Sequence, residues 1–210
     1  MQVQPVQRRR GRPPKDLAGF SETREALVRA GVAALTQKGF AGTGIDEILK
    51  GVNVPKGSFY HYFGSKEAFG AELIDRYGAY FARKLERILT NSARSPMQRM
   101  HDFVEDAVAG MTRFQFQRGC LIGNLGQEMT SLPESFRARL QRVFDDWEGR
   151  TERCLVEAQQ AGEIPADKDC KALATFFWIG WEGAVLRAKL DASPLPLHAF
   201  ADGFFAGLKN

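Results

Sequence analysis

The sequence predicts an all-α protein, with a small three-helix head at the N-terminus and a larger helical bundle behind it, about nine helices in all. Apolar residues recur at helical spacing along most of the 210 residues. No segment shows the strict alternation of apolar and polar residues that is typical of a half-buried β-strand. Serine, proline and glycine stand where the periodic segments begin and end, as they do at helix termini.

The head is predicted to contain a helix-turn-helix. Its first helix begins at Ser21 and ends at Gly39, a residue type that commonly closes helices in a left-handed conformation. A second, short helix covers residues 45–51, and a third begins near Pro55, whose restricted φ and missing N–H suit a first helical turn. Two short helices joined this tightly after a longer one are typical of the helix-turn-helix, and we assign residues 21–67 to it.

The body, residues 68–210, is predicted to be a bundle of long helices. Ser65 is placed to cap the helix that links the head to the body. Two further helices cover residues 96–116 and 133–162, each opened by a proline, and a glycine-interrupted segment separates them. The buried stripe of the linking helix comprises Phe69, Leu73, Tyr77, Phe81, Leu85 and Ile88.

The last two helices, over residues 168–192 and 197–209, are predicted to form a homodimer interface. Residues 173–190 are apolar on nearly all sides, which a helix on the surface of a monomer does not tolerate. One side would pack within its own subunit and the other against a symmetry mate. The final helix would add Phe200, Phe204, Phe205 and Leu208 to that second side. The alternative is a fully internal helix in a chain that does not dimerise.

Composition argues against several classes of protein. The most apolar segment, residues 172–186, is interrupted by Glu182 and is shorter than the roughly 20 residues that a membrane helix requires. We therefore expect a cytoplasmic protein with no membrane partner. Cys120, Cys154 and Cys170 show no C-x-x-C spacing, so neither a disulfide framework nor a zinc site is predicted. No grouping of residues has the spacing of a catalytic or metal site, and we predict no enzyme activity, no metal and no cofactor.

Positive charge is concentrated in the N-terminal part of the chain. Residues 1–92 hold 15 basic and 9 acidic residues, whereas residues 93–210 hold 14 basic and 16 acidic residues. Residues 1–20 are predicted to be a disordered basic arm. Within it, Arg10 and Arg12 belong to an Arg-Gly-Arg-Pro run that resembles an AT-hook and would fit the narrow minor groove of A·T-rich DNA. The alternative is a solvated tail that only attracts phosphates.

The segment VPKGSFYHYFGSKEAF, residues 54–69, has the chemistry of a nucleic-acid contact. Free backbone N–H groups in the first turn of a short helix favour phosphate, and Gly57 allows the backbone to approach closely. Tyrosine hydroxyls and lysine ammonium groups bind phosphate oxygens. Phe59 and Phe63, four residues apart, are predicted to point inward and to hold the helix on the head. The polar positions are Lys56, Ser58, Tyr60, Tyr62 and Lys66.

This segment resembles the hallmark of the TetR family of DNA-binding regulators, a Lys-Gly-small-aromatic-Tyr run followed by Phe-x-x-Lys. The resemblance covers residues 21–69 and implies a head that binds double-stranded operator DNA and a body that dimerises and binds a small-molecule effector. For His61 a role in helix packing alone is the alternative. The chain departs from the family pattern at Asp46, where many relatives have a basic residue, and we leave Asp46 out of the predicted site. The implied contacts are Lys56, Gly57, Ser58, Tyr60 and His61 in the major groove, and Thr43, Tyr62 and Lys66 on the DNA backbone.

The segment RGCLIGNLGQEM, residues 118–129, resembles a subgroup of the family that responds to electrophiles, including acrylate-type compounds and the inducers of N-ethylmaleimide reductase. That resemblance implies effector sensing by Cys120 and Lys189. The residues themselves favour a reactive thiol, because the charge of Arg118 would lower the pKa of the nearby Cys120. The alternative is that Cys120 is an inert, buried side chain.

Together these features predict a transcriptional repressor that a small-molecule effector releases from a palindromic operator. The effector would be an electrophile sensed through Cys120. The alternative, from another functional class, is an architectural protein that binds A·T-rich DNA without a ligand.

Overall fold

The computed structural model describes residues 17–208, with side chains described from Phe20 onward. This part of the chain contains nine α-helices, one short 3₁₀ helix and no strand, which confirms the predicted all-α class. The 3₁₀ helix covers Met129–Ser131. The α-helices are α1 Leu17–Lys38, α2 Ile45–Val52, α3 Lys56–Phe63, α4 Lys66–Leu89, α5 Pro96–Arg113, α6 Leu121–Gln127, α7 Glu134–Gln160, α8 Cys170–Asp191 and α9 Leu195–Leu208.

The head consists of α1 to α3 and the start of α4. Helices α2 and α3 are joined by a tight turn in which Asn53 adopts the left-handed conformation, with a φ of 53°. Ile48 and Leu49 of α2 are buried, as is Leu27 of α1. The predicted helix-turn-helix is therefore present, and its second short helix stands at the surface of the head.

The first helix is longer than predicted. Helix α1 begins at Leu17 rather than at Ser21, so the predicted disorder is wrong for residues 17–20. Arg10 and Arg12, the arginines of the AT-hook-like run, lie outside the described residues.

The segment between α5 and α7 also differs from the prediction. Helix α5 ends at Arg113, before the predicted Phe116, because Gln115 and Phe116 have positive φ angles of 51° and 57°, with which a helix cannot continue. The glycine-interrupted segment then forms α6. Three glycines obscure its apolar periodicity, so the pattern did not predict this helix.

The centre of the body is an aromatic cluster between α5, α7 and α8. The rings of Trp147 and Trp178 lie 4.9 Å apart, centroid to centroid, and Phe103 lies 5.7 Å from Trp178. The indole N–H of Trp178 donates to the hydroxyl of Thr151 at 3.0 Å, and that hydroxyl donates to the carbonyl of Trp147 at 3.0 Å. Burial of a side chain such as Phe103 contributes about 1.5–3 kcal/mol to stability, so the cluster stabilises the centre of the body.

Helices α8 and α9 pack closely, and a side chain at Gly180 would overlap the ring of Phe200. Phe204, Phe205 and Leu208 are buried within their own subunit, so the prediction that they face a symmetry mate is wrong. A different set of large apolar side chains, with exposures of 47% to 74%, remains in contact with solvent. We call it the α8–α9 face: Phe176, Ile179, Leu186, Leu190 and Leu195.

Among the described residues, no helix combines the length and the apolar character needed to span a membrane.

Candidate functional site

Helix α3 buries one face in the head and exposes the other. Phe59 and Phe63 are buried, and their rings lie 5.1 Å and 4.6 Å from that of Phe69, which confirms the predicted inward orientation. The other predicted positions of α3 therefore share a single outer surface. Its exposed members are Lys56, Gly57, Tyr60 and His61, and Ser58 and Tyr62 are half-buried beside them.

Lys56 is held in place by Asp46 of α2. Its ammonium Nζ lies 3.0 Å from Oδ2 of Asp46 across the turn, and both side chains are exposed. The hydrogen bond to Asp46 raises the pKa of Lys56, which favours its charged form. Asp46, left out of the predicted site, thus orients the lysine that begins α3. This role becomes visible only when the turn brings α2 and α3 together.

Gly57 lies in the first turn of α3 with open space around it. A side chain added at this position would touch none of the surrounding described residues, so packing does not require a glycine. Glycine in a helix is less favourable than alanine by about 1 kcal/mol. A glycine here suits a surface that a partner's atoms approach closely.

Tyr62 and His61 connect α3 to the start of α1. The ring of Tyr62 lies 4.4 Å from that of Phe20, and His61 makes an edge contact with Phe20 at 5.8 Å. His61 therefore combines exposure with packing, two roles that the sequence left as alternatives.

Two residues of the predicted DNA contact set are engaged within the head. Thr43 is 1% exposed, and its hydroxyl donates to the carbonyl oxygen of Gly39 at 2.6 Å. The prediction that Thr43 contacts the DNA backbone is wrong for this structure, because its side chain does not reach the surface. The ammonium of Lys66 donates to the backbone carbonyl of Phe40 at 3.0 Å and lies 4.5 Å from the centre of the Phe40 ring. Both side chains stabilise the loop between α1 and α2.

A cavity of about 490 Å³ lies in the body, between α1, α4, α5, α8 and the loop that precedes α6. Cavities of this size suit small molecules. One part of its wall brings together Cys120, Tyr77, Trp181 and Glu182. The remaining charged lining comprises Arg113, Arg118 and the ion pair between Lys84 and Asp106.

Cys120 is buried at the cavity wall, and α6 begins directly after it. Its Sγ accepts a hydrogen bond from the backbone N–H of Gly123 at 3.5 Å. Burial raises the pKa of Cys120 well above its usual range, and the carboxylate of Glu182 raises it further. The predicted lowering by Arg118 is wrong, because its guanidinium instead stacks over Phe114, 4.0 Å from the ring centre. At neutral pH Cys120 is therefore a thiol rather than a thiolate.

Two further ionisable side chains interact with Cys120. Burial raises the pKa of Glu182 to about 7, against a smaller opposing effect of its hydrogen bond to Cys120. Burial also raises the pKa of Tyr77, and Cys120 contributes to that rise. Near pH 7 the cavity wall thus carries an uncharged thiol, an uncharged phenol and a carboxyl close to half-ionised. Sequence reasoning missed Glu182, although a single acid in a strongly apolar helix is the signal that could have found it.

Four residues of the body hold the end of α1, and we call them the α1 clamp: Gly119, Asn124, Glu128 and Lys189. The backbone N–H of Gly119, the side-chain amide of Asn124 and the ammonium of Lys189 donate to carbonyl oxygens of residues 35–37, at 2.8 to 3.4 Å. The carboxylate of Glu128 accepts from the backbone N–H groups of Phe40 and Ala41 at 3.0 and 2.8 Å. The clamp satisfies carbonyl groups that a helix end leaves unpaired, and it joins the body to the head.

Glu128 also explains the glycine that closes α1. Gly39 has a φ of 74°, and a side chain there would overlap the carboxylate of Glu128. Only glycine meets both conditions without strain.

Lys189 belongs to the clamp and not to the lining of the cavity. Burial lowers the pKa of Lys189, while Glu128 acts in the opposite direction. The two predicted sensing residues are close but separate, because Gly119 lies between Cys120 and Lys189. A side chain at Gly119 would lie 3.6 Å from Cδ of Lys189.

The other two cysteines do not line this cavity. Cys154 is buried, its thiol donates to the carbonyl of Pro96 at 3.4 Å, and burial raises its pKa to about 12. Burial also raises the pKa of Cys170. Across residues 17–208, no group of three His, Cys, Asp or Glu side chains is placed to hold a metal ion.

Two family models match the chain. The model described as bacterial regulatory proteins, tetR family, matches residues 27–73, which include α2 and α3. The model described as tetracyclin repressor-like, C-terminal domain, matches residues 96–204, which include Cys120 and the whole α1 clamp.

Individual relatives agree with these models. Transcriptional regulator AcuR of Cereibacter sphaeroides is 50% identical over 200 residues, which cover 95% of this chain and 91% of AcuR. The HTH-type transcriptional repressor NemR of Escherichia coli K12 is 31% identical over 177 residues, covering 84% of this chain and 89% of NemR. The crystal structure of regulatory protein TetR from Rhodobacter sphaeroides superposes with a TM-score of 0.86 at 51% identity, covering 88% of this chain and 97% of that one.

These relationships decide between the functional classes that the sequence left open. The relatives are regulators or repressors of transcription, so the architectural A·T-binding alternative is not supported. The similarity extends over head and body alike. The chain belongs to the TetR family and is a DNA-binding transcriptional regulator.

Proposed function

We propose that this regulator is a repressor that binds a palindromic operator as a homodimer and leaves it when a small electrophile reacts with Cys120. The observation that carries the proposal is the position of Cys120. It lines the cavity and immediately precedes α6, and Asn124 of this helix and Glu128 directly after it hold the end of α1. A reaction in the cavity therefore acts directly on the connection between body and head.

The α8–α9 face supports the dimer. A contiguous patch of large exposed apolar side chains marks an interaction surface. A second copy of the chain is the occupant we propose, because two-fold homodimers are the commonest closed assemblies. In such a dimer the two α3 helices would enter successive major grooves when they lie about 34 Å apart, and this spacing matches a palindromic operator.

The outer surface of α3 supplies the proposed operator contacts. Lys56, charged and oriented by Asp46, is suited to a phosphate or to the edge of a guanine. Gly57 allows the backbone to approach the duplex, and Ser58, Tyr60, His61 and Tyr62 surround it. Arg10 and Arg12 precede α1 in the chain, and we propose that they add contacts in the minor groove.

The state of the thiol supports an electrophile that first binds in the cavity. Cys120 is protonated and buried, so reagents that need a free thiolate react with it slowly. A molecule held in the cavity reacts faster in spite of this limit, because it stays beside the sulfur. We propose an acrylate-type or another α,β-unsaturated compound as the effector class.

The effect on DNA binding would pass through α6 and the α1 clamp. A group attached to Sγ of Cys120 disturbs its bond from Gly123 in the first turn of α6. Displacement of α6 then weakens the hydrogen bond that Asn124 donates to the end of α1 and the one that Glu128 accepts from the residue Ala41 just beyond it. The adduct lowers DNA affinity to the extent that it favours a head orientation that does not fit the operator. Such coupling free energies are typically about 1–3 kcal/mol. Lys189 acts in this proposal as a clamp residue.

Fluorescence anisotropy with the DNA that flanks the protein's own gene tests the proposal, before and after reaction with N-ethylmaleimide. The unmodified protein should bind a discrete site, and a single adduct at Cys120 should reduce affinity about tenfold or more. Cys120→Ser should bind equally well and stay bound.

Cys154→Ser and Cys170→Ser are the matched controls. N-ethylmaleimide should release both variants from DNA as it releases the wild type. Release of Cys120→Ser to the same extent would overturn the role of the thiol. A footprint without two-fold symmetry would overturn the palindromic operator.

A further inference from the structure

Glu182 is an acid on an otherwise apolar stretch of α8, and it makes no ion pair among those found in residues 17–208. Its neighbours on that helix include Trp178 and Trp181, both buried. Glu182 is half-buried, and even partial removal of a carboxyl from water without a cationic partner is unfavourable, so such a group is a candidate for a function. The clamp and the DNA surface do not use it.

The carboxyl of Glu182 lies against the first turn of α6. A methyl group added at Gly123 would overlap Oε2 of Glu182 and would lie 3.7 Å from Cβ of Cys120. The backbone N–H of the same glycine donates to Sγ of Cys120. The carboxyl and the thiol therefore meet at one glycine, and both side chains line the cavity.

We propose that Glu182 is the proton acceptor for Cys120 when the thiol adds to an α,β-unsaturated carbonyl compound in the cavity. The inference rests on the proposed function, since it takes Cys120 to be the reacting group. It assigns to this site a thiol that is activated during the reaction, in place of a thiolate formed beforehand.

The step is an addition and needs no oxidant or reductant. Sγ forms a bond to the β-carbon of the effector while the carbon–carbon π bond breaks and its electron pair moves to the α-carbon and carbonyl oxygen. The thiol proton passes to the Glu182 carboxylate. Glu182 then returns the proton to the α-carbon, which leaves a thioether and a carboxylate ready for another proton.

The ionisation of the surrounding groups is consistent with this role. With a pKa of about 7, Glu182 is a stronger base than an ordinary carboxylate and is still partly ionised at neutral pH. From α4, Tyr77 faces the same thiol and remains protonated. The other charged groups of the cavity are Arg118, Arg113 and the pair formed by Lys84 and Asp106.

The test is the rate of adduct formation at Cys120 in the full chain, with acrylamide as an uncharged probe and peptide mass spectrometry as the readout. In the wild type the rate constant should rise between pH 6 and pH 8 with a midpoint near 7, the pKa of Glu182. Glu182→Gln should react about 100-fold more slowly at pH 7.5 and should lose that midpoint. Glu182→Asp should recover part of the rate together with the midpoint.

The direction of the rate change in Glu182→Gln separates proton acceptance by Glu182 from a purely electrostatic effect of its charge. The charge of Glu182 raises the pKa of Cys120, so its removal alone would make the thiol more acidic and the reaction faster. A Glu182→Gln variant that reacts as fast as the wild type, or faster, overturns the proposal. Glu148→Gln, which changes an acid that accepts from Thr175 outside the cavity, should leave the rate unchanged.

The two proposals fail in different ways. If the Cys120 adduct forms with the predicted pH profile but DNA stays bound, the result supports Glu182 as the proton acceptor and contradicts the sensing role of Cys120. If the adduct releases DNA while Glu182→Gln keeps the wild-type rate and pH profile, the result supports the sensing role of Cys120 and contradicts Glu182 as the proton acceptor.

Discussion

The side-chain amide of Asn124 donates to the carbonyl oxygen of Leu35 at 3.0 Å, which bonds the fourth residue after Cys120 to the last turn of α1. The same amide reaches the carbonyl of Thr36 at 3.0 Å. Helix α6 and the end of α1 are therefore expected to move together, and this coupling can be tested with one substitution.

Replacement of Asn124 by Ala should separate the cavity from the head. Loss of the two hydrogen bonds should lower the free energy of unfolding by about 1–2 kcal/mol. DNA binding by the unmodified protein should change little, whereas the loss of affinity caused by the Cys120 adduct should become smaller. Anisotropy titrations before and after alkylation measure both. Gln127→Ala, an exposed position on the same helix, is the control, and equal release of both variants would contradict the coupling.

Lys56→Ala should weaken operator binding and reduce its dependence on salt. Each cation that neutralises a phosphate releases counterions, so loss of one contact should lower the slope of log K against log salt by about one. Titrations at several salt concentrations give this slope. Lys171→Ala, on the exposed side of α8, should leave it unchanged. An unaltered slope in Lys56→Ala would remove this lysine from the phosphate contacts.

Gly57→Ala should change stability and DNA binding in opposite directions. The added methyl group has open space, so the helix should become more stable by about 0.5–1 kcal/mol. The same methyl group would stand between α3 and the duplex, and affinity should fall about tenfold. Urea denaturation and anisotropy measure the two effects. Gly149→Ala, on α7, should increase stability without changing DNA affinity. Wild-type DNA affinity in Gly57→Ala would argue against close approach of the duplex at Gly57.

Glu182→Gln should flatten the dependence of stability on pH in the range from acid to neutral. In the folded chain the pKa of Glu182 is raised from 4.5 to about 7, so the unfolded chain releases this proton more readily. The contribution of Glu182 to stability is therefore full below pH 4.5 and declines as the pH rises through 7. Between pH 5 and pH 8 the decline amounts to about 2 kcal/mol, which the variant should not show.

Urea denaturation at the two pH values measures this difference. Glu148→Gln, which changes an acid of α7 that accepts from Thr175 outside the cavity, should keep the wild-type pH dependence. The same decline in Glu182→Gln would show that another group is responsible.

Ile179→Asp should convert the dimer to a monomer. The side chain is 70% exposed in the single chain, so a charge there does not disturb the fold of the subunit. It would be desolvated in the dimer, where an unpaired charge is strongly unfavourable. Sedimentation velocity should show a single chain, and operator affinity should fall with it. Arg142→Glu, exposed on α7, should remain dimeric, and a dimer that survives in Ile179→Asp would place the interface elsewhere.

Local patterns predicted what depends on neighbours in sequence. The spacing of Phe59 and Phe63 predicted the buried side of α3, and Pro55 predicted its start to within one residue. Cap residues placed the start of α4 in the same way, since Ser65 accepts from the N–H of Ala68. Helical periodicity is a property of short segments, so one sequence suffices to find it.

Properties that depend on distant segments were not predictable. The pKa of Cys120 was expected to fall because Arg118 is two residues away in sequence, but burial and Glu182, from another helix, raise it. Thr43 is a residue type expected at a DNA contact, yet its hydroxyl donates to the carbonyl of Gly39 inside the head. In each case tertiary packing produced an outcome different from the one expected from the sequence.

The α1 clamp bonds to main-chain atoms of the head, the carbonyls of residues 35–37 and the amides of residues 40 and 41, and to none of the side chains that we propose as DNA contacts. Mutations on the outer surface of α3 can therefore change which operator is recognised and leave the contacts made by the body intact. If the proposed sensing by Cys120 holds, a head with new sequence specificity would keep the same chemical response, because the two sets of contacts do not overlap.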